Sequence, residues 1–170
     1  HGQIRRQRQM CIRDRAKDIV FVDSKTKSHG IWKPSSEWRF HFDILKGRKE
    51  FDAVVHNHPA YGTGMSILGK DIKAYHYMIA FLGGDTIKCS TFALPGSQEL
   101  SDAALKALKG RKACLLANHG TITCGKNLDE AMFLTEEFEI LCKQITIAKI
   151  NGKPQFCLLY TSPSPRDQVV

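Results

Sequence analysis

Two histidines one residue apart, His56 and His58, close the apolar run of "AVVHNHPAYGTG" (Ala53 to Gly64), and a proline and turn-forming residues follow them. In an extended strand the side chains at i and i+2 point to the same face. The pair would therefore stand side by side where the strand ends, offering two imidazole nitrogens to one metal ion. A His-x-His pair alone is a weak signal, because strand-end histidines are often satisfied by backbone or water, so metal chemistry needs a third ligand. "LLANHGTI" supplies one in His119, at the C-terminal end of a second buried strand. It meets His56 and His58 if the two strands end on the same edge of the sheet. Three imidazoles with an open fourth position are the ligand set of a catalytic rather than a structural zinc site. His41 and His76 are the rivals; His41, between Phe40 and Phe42 on a helical stretch, reads more readily as structural.

The elements that must carry these histidines follow from periodicity and punctuation. "DIVFVD" (Asp18 to Asp23) reads as a short strand ended by a polar turn, and "AVVHNH" as a second. Between them, Pro34, Ser35 and Ser36 precede a helical stretch with Trp38, Phe42 and Leu45 at helical spacing and Gly47 as its stop. Backbone N–H groups at such a helix start are a ready place for phosphate. A short helix follows in "AYGTGMSILG", then the apolar "YHYMIAFLGG" and the strand candidate "DTIKCSTFA". "SQELSDAALKALKG" is an amphipathic helix with Leu105 and Leu108, "KACLLANHG" a buried strand, and Asn127 with Glu130 forms a capping box that opens a long helix ending near Gly152. Strands alternating with helices over one core predict an α/β domain, with no internal repeat or linker.

At 170 residues, 42% hydrophobic and 25% charged, the chain has the composition of a soluble globular domain. No transmembrane run or signal peptide is visible, so a cytoplasmic protein is expected and a membrane partner is not. The net charge of +8 would suggest nucleic acid, but residues 1 to 15 hold five arginines against one acid, which is half of that excess. This head is suspect. Met10 to Arg15 can be encoded as ATGTGTATAAGAGACAG, whose reverse complement, read from its second base, encodes the Cys-Leu-Leu-Tyr-Thr of Cys157 to Thr161. Both ends resemble translated sequencing adapter. The expected organisation is therefore an adapter-like head at 1–15, a domain at 16–156 and an adapter-like tail at 157–170. Cys11 and Cys157 then drop out, and the remaining cysteines show no CxxC spacing, as suits a reducing compartment. No nucleic-acid partner is expected.

"PSSEWRFH", "AVVHNHP", "HYMIA", "ELS" and "LLANHG" occur in an order and spacing that resemble the class II aldolase and adducin superfamily, and within it the L-fuculose-phosphate aldolases, over nearly all of Ala16 to Gln155. The resemblance implies a three-layer α/β/α fold around a central mixed, mostly antiparallel sheet, truncated at both ends. It implies zinc-dependent (or other divalent-metal) aldol cleavage of a ketose 1-phosphate, similar to L-fuculose 1-phosphate, to dihydroxyacetone phosphate and an aldehyde. By the same resemblance His56, His58 and His119 bind zinc and Glu37 moves protons at the metal. Ser35 and Ser36 help bind the substrate phosphate, and Tyr77 reaches the site of a neighbouring subunit in a homotetramer to handle the aldehyde oxygen.

These residue types suit the reaction independently. Breaking the C3–C4 bond leaves an enediolate whose charge a Lewis acid can accept, and a nearby carboxylate can exchange a proton at carbon if its surroundings tune it. Without the family pattern, Glu37 would read as a first-turn helix acid, Tyr77 as a packed aromatic, and the serines as a helix cap. Alternatives of the same superfamily are a sugar-phosphate 4-epimerase, which typically has aspartate where Glu37 stands, a decarboxylase or dehydratase, and a non-catalytic adducin-like module, which should lack the metal histidines. The family's N-terminal phosphate loop and its C-terminal tail have no counterpart among these residues, which puts the activity of the chain as it stands in doubt.

Overall fold

Four consecutive residues, Ala113 to Leu116, are buried completely, and their alternation sets the architecture. Successive side chains of a strand point to opposite faces. Ala113 and Leu115 join one apolar cluster and Cys114 and Leu116 another, so this strand has a core on each side. The computed structural model describes residues 18–157, together with the backbone of a strand at Gln3–Arg5. That strand, β1, lies in the head expected to be adapter-derived; the remainder of the head and the tail from 158 onward lie outside the described residues.

β1 pairs antiparallel with β2 (Val20–Val22), which pairs with β3 (Ser28–His29) in a small separate sheet. The main sheet contains β4 (Ala53–Asn57), β5 (Ile72–Lys73), β6 (Thr86–Cys89), β7 (Ala113–Leu116) and β8 (Gly120–Gly125), in the order β4-β8-β7-β6-β5. Only β6 and β7 run parallel; the other three pairings are antiparallel, which makes the sheet mixed and mostly antiparallel.

Helices α1 (Trp38–Gly47) and α3 (Gln98–Ala107) cover one face, packing Phe40, Ile44, Leu100 and Ala104 on Cys114, Leu116, Ile122 and Cys124. Helices α2 (Ala60–Ile67) and α4 (Leu128–Asn151) cover the other, packing Met65, Leu134, Phe138 and Leu141 on Ala113 and Leu115. These are the three expected layers.

Local chemistry starts and stops these helices much as the sequence suggests. Ser97 Oγ accepts the Leu100 N–H at 3.1 Å, and Asn127 Oδ1 accepts the Glu130 N–H at 2.8 Å. The returning half of the capping box is shifted by one residue, because Glu130 Oε2 takes the N–H of Lys126. In α1 the buried face differs from the one expected: Phe40 and Ile44, one turn apart, are buried with Phe42, whereas Trp38 and Leu45 are only half-buried. The sheet decides this, because α1 turns Phe40 toward His56 of β4, ring centroids 5.1 Å apart. The apolar segment before the glycine pair becomes a 3₁₀ turn, Tyr77–Leu82, which His76 caps by accepting the Met78 N–H on Nδ1 at 3.3 Å.

Ile122 stands opposite His56 in the β4–β8 ladder and is completely buried. Ile122→Ala should therefore cost about 2–5 kcal/mol, as truncation of a close-packed core residue does. The measurement is the urea midpoint, with an unchanged slope showing that the fold itself is retained.

Candidate metal centre

The antiparallel ladder places the C-terminal end of β4 beside the N-terminal end of β8, with His56 opposite Ile122 and Asn57 opposite Thr121. β7 enters β8 through the tight turn that contains His119, whose N–H bonds to the Leu116 carbonyl at 3.0 Å. His119 thus reaches the end of β4 from the neighbouring hairpin. The expected convergence of two strand ends is met, with β8 standing between β4 and β7.

The three imidazoles form a near-equilateral triangle, with ring centroids 4.8 Å apart for His56 and His58 and 4.9 Å for each of the other two pairs. Glu37, the residue before α1, closes the group. Its Oε2 is 3.2 Å from His56 Nε2 and its Oε1 is 3.0 Å from His119 Nε2, while the Nε2 atoms of His56 and His58 are 3.0 Å apart. One candidate ligand atom from each of the four residues lies within 4.8 Å of every other. Ligand atoms at 2.0–2.1 Å from a tetrahedral zinc ion are about 3.3 Å from one another, so the spacing suits such an ion.

The bonding around the rings supports the same reading. His56 Nδ1–H donates to the Thr121 carbonyl at 2.9 Å, which leaves the Nε2 lone pair aimed into the cluster. Glu37 Oε1 and His119 Nδ1 are buried without a hydrogen bond; the 3.0 Å approach of His119 Nε2 to Oε1 is an ion-pair distance lacking hydrogen-bond alignment. Two Nε2 atoms facing each other at 3.0 Å need a proton or a cation between them. Burial alone would raise the Glu37 carboxyl, but the imidazoles of His119 and His56 outweigh it and hold the group well below the usual carboxylate range. Burial, reinforced by His56 and His119, pushes His58 down toward the neutral, ligating form. His58 is exposed while Glu37 is only 6% exposed, so the cluster opens to solvent on the His58 side.

The remaining sequence candidates lie at different distances from this group. Ser35 Oγ accepts the Glu37 N–H at 2.9 Å and so holds the carboxylate's backbone. Ser36 is exposed, and its carbonyl is approached so closely by Gly96 that a Cβ there would stand 2.6 Å away. Gly96 has φ of +79° besides, so glycine is required on both counts. Tyr77 is 59% exposed and begins the 3₁₀ turn that follows β5, at the sheet edge opposite β4. It is not part of the cluster. Of the rival histidines, His41 stays outside, its ring 6.5 Å from that of His56, and His76 caps the 3₁₀ turn. Among the described residues no cysteine belongs to the cluster, and burial pushes the thiols of Cys114, Cys124 and Cys142 up, that of Cys124 to about 12.

Two contributors escaped the sequence reading. Thr121 orients His56 through its backbone carbonyl, which no side-chain motif can announce. Gly120 is the closest approach in the site: a Cβ there would lie 2.5 Å from the Asn57 carbonyl oxygen and 2.6 Å from His58 Cδ2. The glycine directly after His119 was the available signal. Gly120→Ala should displace His58 and destabilise the protein by about 1–3 kcal/mol, the cost of forcing extra volume into packed surroundings. Thermal unfolding measures the loss, and the His58 ring proton shifts report the displacement.

Comparison with known proteins accords with this geometry. Residues 9–146 match the Class II Aldolase and Adducin N-terminal domain. The chain is 50% identical over 130 residues to a 5-methylthioribulose-1-phosphate/5-deoxyribulose-1-phosphate aldolase of Rhodospirillum rubrum, covering 76% of this chain and 59% of the relative. It is 47% identical over 125 residues to the L-fuculose phosphate aldolase of Escherichia coli K12, covering 74% and 58%. Among solved structures, an L-fuculose 1-phosphate aldolase aligns with a TM-score of 0.82 at 36% identity, over 85% of this chain and 68% of that one. The chain spans less than 60% of the length of the curated relatives it matches. With the family domain running through most of its residues and the histidine cluster assembled inside it, the chain belongs to the class II aldolase and adducin N-terminal domain family.

Proposed function

We propose that this protein is a class II, metal-dependent aldolase that cleaves a ketose 1-phosphate to dihydroxyacetone phosphate and an aldehyde. The observation that carries the reading is the convergence of His56, His58 and His119 beside the buried carboxylate of Glu37. The three imidazoles would hold a zinc or other divalent cation. Bound there, the cation supplies a Lewis acid for the negative charge that develops as the carbon–carbon bond breaks. In cleavage the C4 hydroxyl loses its proton as C4 becomes a carbonyl, and the electron pair left on C3 takes up a proton. Glu37 exchanges the C3 proton, as base in condensation and as acid in cleavage. The imidazoles of His119 and His56 hold the Glu37 carboxyl low against the upward pull of burial, which suits it to act as the base in condensation. Ser36, with the first turn of α1 that no side chain caps, takes part of the substrate phosphate, and Ser35 shares in this while steadying Glu37.

The names of the relatives favour ketose 1-phosphates as the substrate class, with L-fuculose 1-phosphate and 5-methylthioribulose 1-phosphate as the two candidates to compare. Glutamate rather than aspartate at position 37 favours cleavage over 4-epimerisation. Glu37→Gln keeps the side-chain length but cannot carry the proton, so zinc should stay bound while kcat falls about 10²–10⁴-fold. His119→Ala should lose metal and activity together. Coupled detection of dihydroxyacetone phosphate, beside a metal analysis and an epimerisation assay, reads both variants. Near-normal cleavage by Glu37→Gln would remove that residue from the mechanism, and epimerisation without cleavage would replace the whole reading.

Tyr77 is assigned to the site of an adjacent subunit in a homotetramer, where its hydroxyl exchanges the proton of the aldehyde oxygen. Its exposure, next to that of Phe81 at 54%, and its position across the sheet from β4 support this placement. The cytoplasm is the proposed location: among the described residues every cysteine is free and no helix is long and apolar enough to cross a membrane. Subunit sharing has a direct test. Tyr77→Phe and Glu37→Gln, each nearly inactive alone, should regain activity when mixed and allowed to exchange subunits, because hybrid assemblies contain sites with both groups intact. A mixture no more active than its components would refute the shared site.

A further inference from the structure

Glu139 has no place in the proposed chemistry, yet its carboxylate accepts two backbone N–H bonds where α2 begins. The Tyr61 N–H reaches Oε1 at 2.9 Å and the Gly62 N–H reaches Oε2 at 2.7 Å. α2 has no cap of its own, since its N-cap residue is Pro59, which offers no side-chain oxygen to the N–H groups of the first turn. A carboxylate from another helix fills that need and also favours the positive end of the α2 dipole. Pro59 directly follows His58, so whatever fixes the first turn of α2 fixes the direction in which the chain leaves β4 and the point from which the His58 ring projects.

The contacts around Gly62 tie this anchor to the other ligands. A Cβ at Gly62 would lie 2.7 Å from Thr121 Cγ2, 3.0 Å from Pro59 Cγ and 3.4 Å from Glu139 Oε2, so these three meet against a residue with no side chain. Thr121 accepts the His56 Nδ1–H on its carbonyl at 2.9 Å and donates its Oγ1–H to Asn57 Oδ1 at 2.5 Å. The α4 carboxylate, the turn after His58 and the residue that orients His56 are therefore one contiguous contact.

We infer that Glu139 is a positioning residue for the metal centre, holding His58 on the point at which His56 and His119 aim by anchoring the first turn of α2. The inference rests on the metal reading proposed above. It is tested by titrating the metal-free protein with Co2+ in competition with a chromophoric chelator and recording the visible spectrum of the bound ion. Glu139→Gln keeps the side-chain shape but sets an NH2 donor against one of the two N–H groups. It should bind Co2+ about 10–100-fold more weakly, the usual cost of losing a group that supports a ligand, and show a shifted spectrum while still unfolding cooperatively. Gly62→Ala attacks the same contact without touching the carboxylate and should shift affinity and spectrum in the same direction. Glu136→Gln, exposed on the same helix, should match the unsubstituted protein. A folded Glu139→Gln protein with unchanged affinity and spectrum would overturn the positioning role alone. Failure of the unsubstituted protein to take up Co2+ would instead overturn the metal reading, and this inference with it.

Discussion

Five residues of β4 run antiparallel to β8, with His56 opposite Ile122 and Asn57 opposite Thr121, and the rest of the site depends on this register. Because side chains alternate along a strand, a slip of one residue would send His56 and His58 to the α2/α4 face, away from Glu37. The same register gives His56 Nδ1 the Thr121 carbonyl as a partner and presents Gly120, with no side chain, to the end of β4. Two apolar cores hold the ladder in place from opposite sides. Ile122 and Cys124 face one and Thr123 turns toward α4, where its hydroxyl meets that of Thr135.

A buried carboxylate beside three imidazoles is an expensive arrangement for a folded protein. Taking an ionised group out of water costs several kcal/mol unless neighbours compensate it. Here His56 and His119 stand close to Glu37, yet one of its oxygens and one nitrogen of His119 have no hydrogen bond. A structural role alone would be served as well by apolar residues of similar size. A cation at the meeting point of the lone pairs would satisfy Glu37 Oε1 and the facing Nε2 atoms, which cannot satisfy one another.

The two faces of the sheet divide the work. The α1/α3 face carries the histidine–glutamate cluster, with Glu37 delivered by the start of α1 and His56 of β4 turned toward it. The α2/α4 face supplies much of the packing, through Met65, Leu134, Phe138 and Leu141, and reaches the site at the turn after His58 and at the turn carrying His119, where the Ser66 carbonyl accepts the Asn118 N–H at 3.2 Å. Tyr77, exposed at the far side of the sheet, belongs to neither core, and an exposed aromatic in that position is chemically idle unless another molecule meets it.

Much of this was legible in the sequence, because the signals are local. The alternation in "AVVHNH" and the cap at Asn127 specify element types through spacing and side-chain chemistry that neighbours in the chain determine, and the strand-end positions of His56, His58 and His119 nominate candidate ligands, whereas Glu37 stands out only through the family resemblance. Other features were not legible. Gly120–Gly125 passed unread as a strand, since its threonines and glycines carry no apolar run of their own and only pairing between β4 and β7 makes them one. The buried face of α1 shifted to Phe40 and Ile44 because the sheet beneath it, and not helical spacing alone, selects which stripe is covered. Glu139 looked like one acid among several on a long helix, and its role exists only where α4 crosses the start of α2, 78 residues away in sequence from Tyr61. The sequence by itself determined which side chains have the chemistry of a metal ligand or a proton carrier. Tertiary structure alone decided which of them meet, because a hydrogen bond between distant segments, such as His56 to the Thr121 carbonyl, is set by backbone placement that no local pattern encodes.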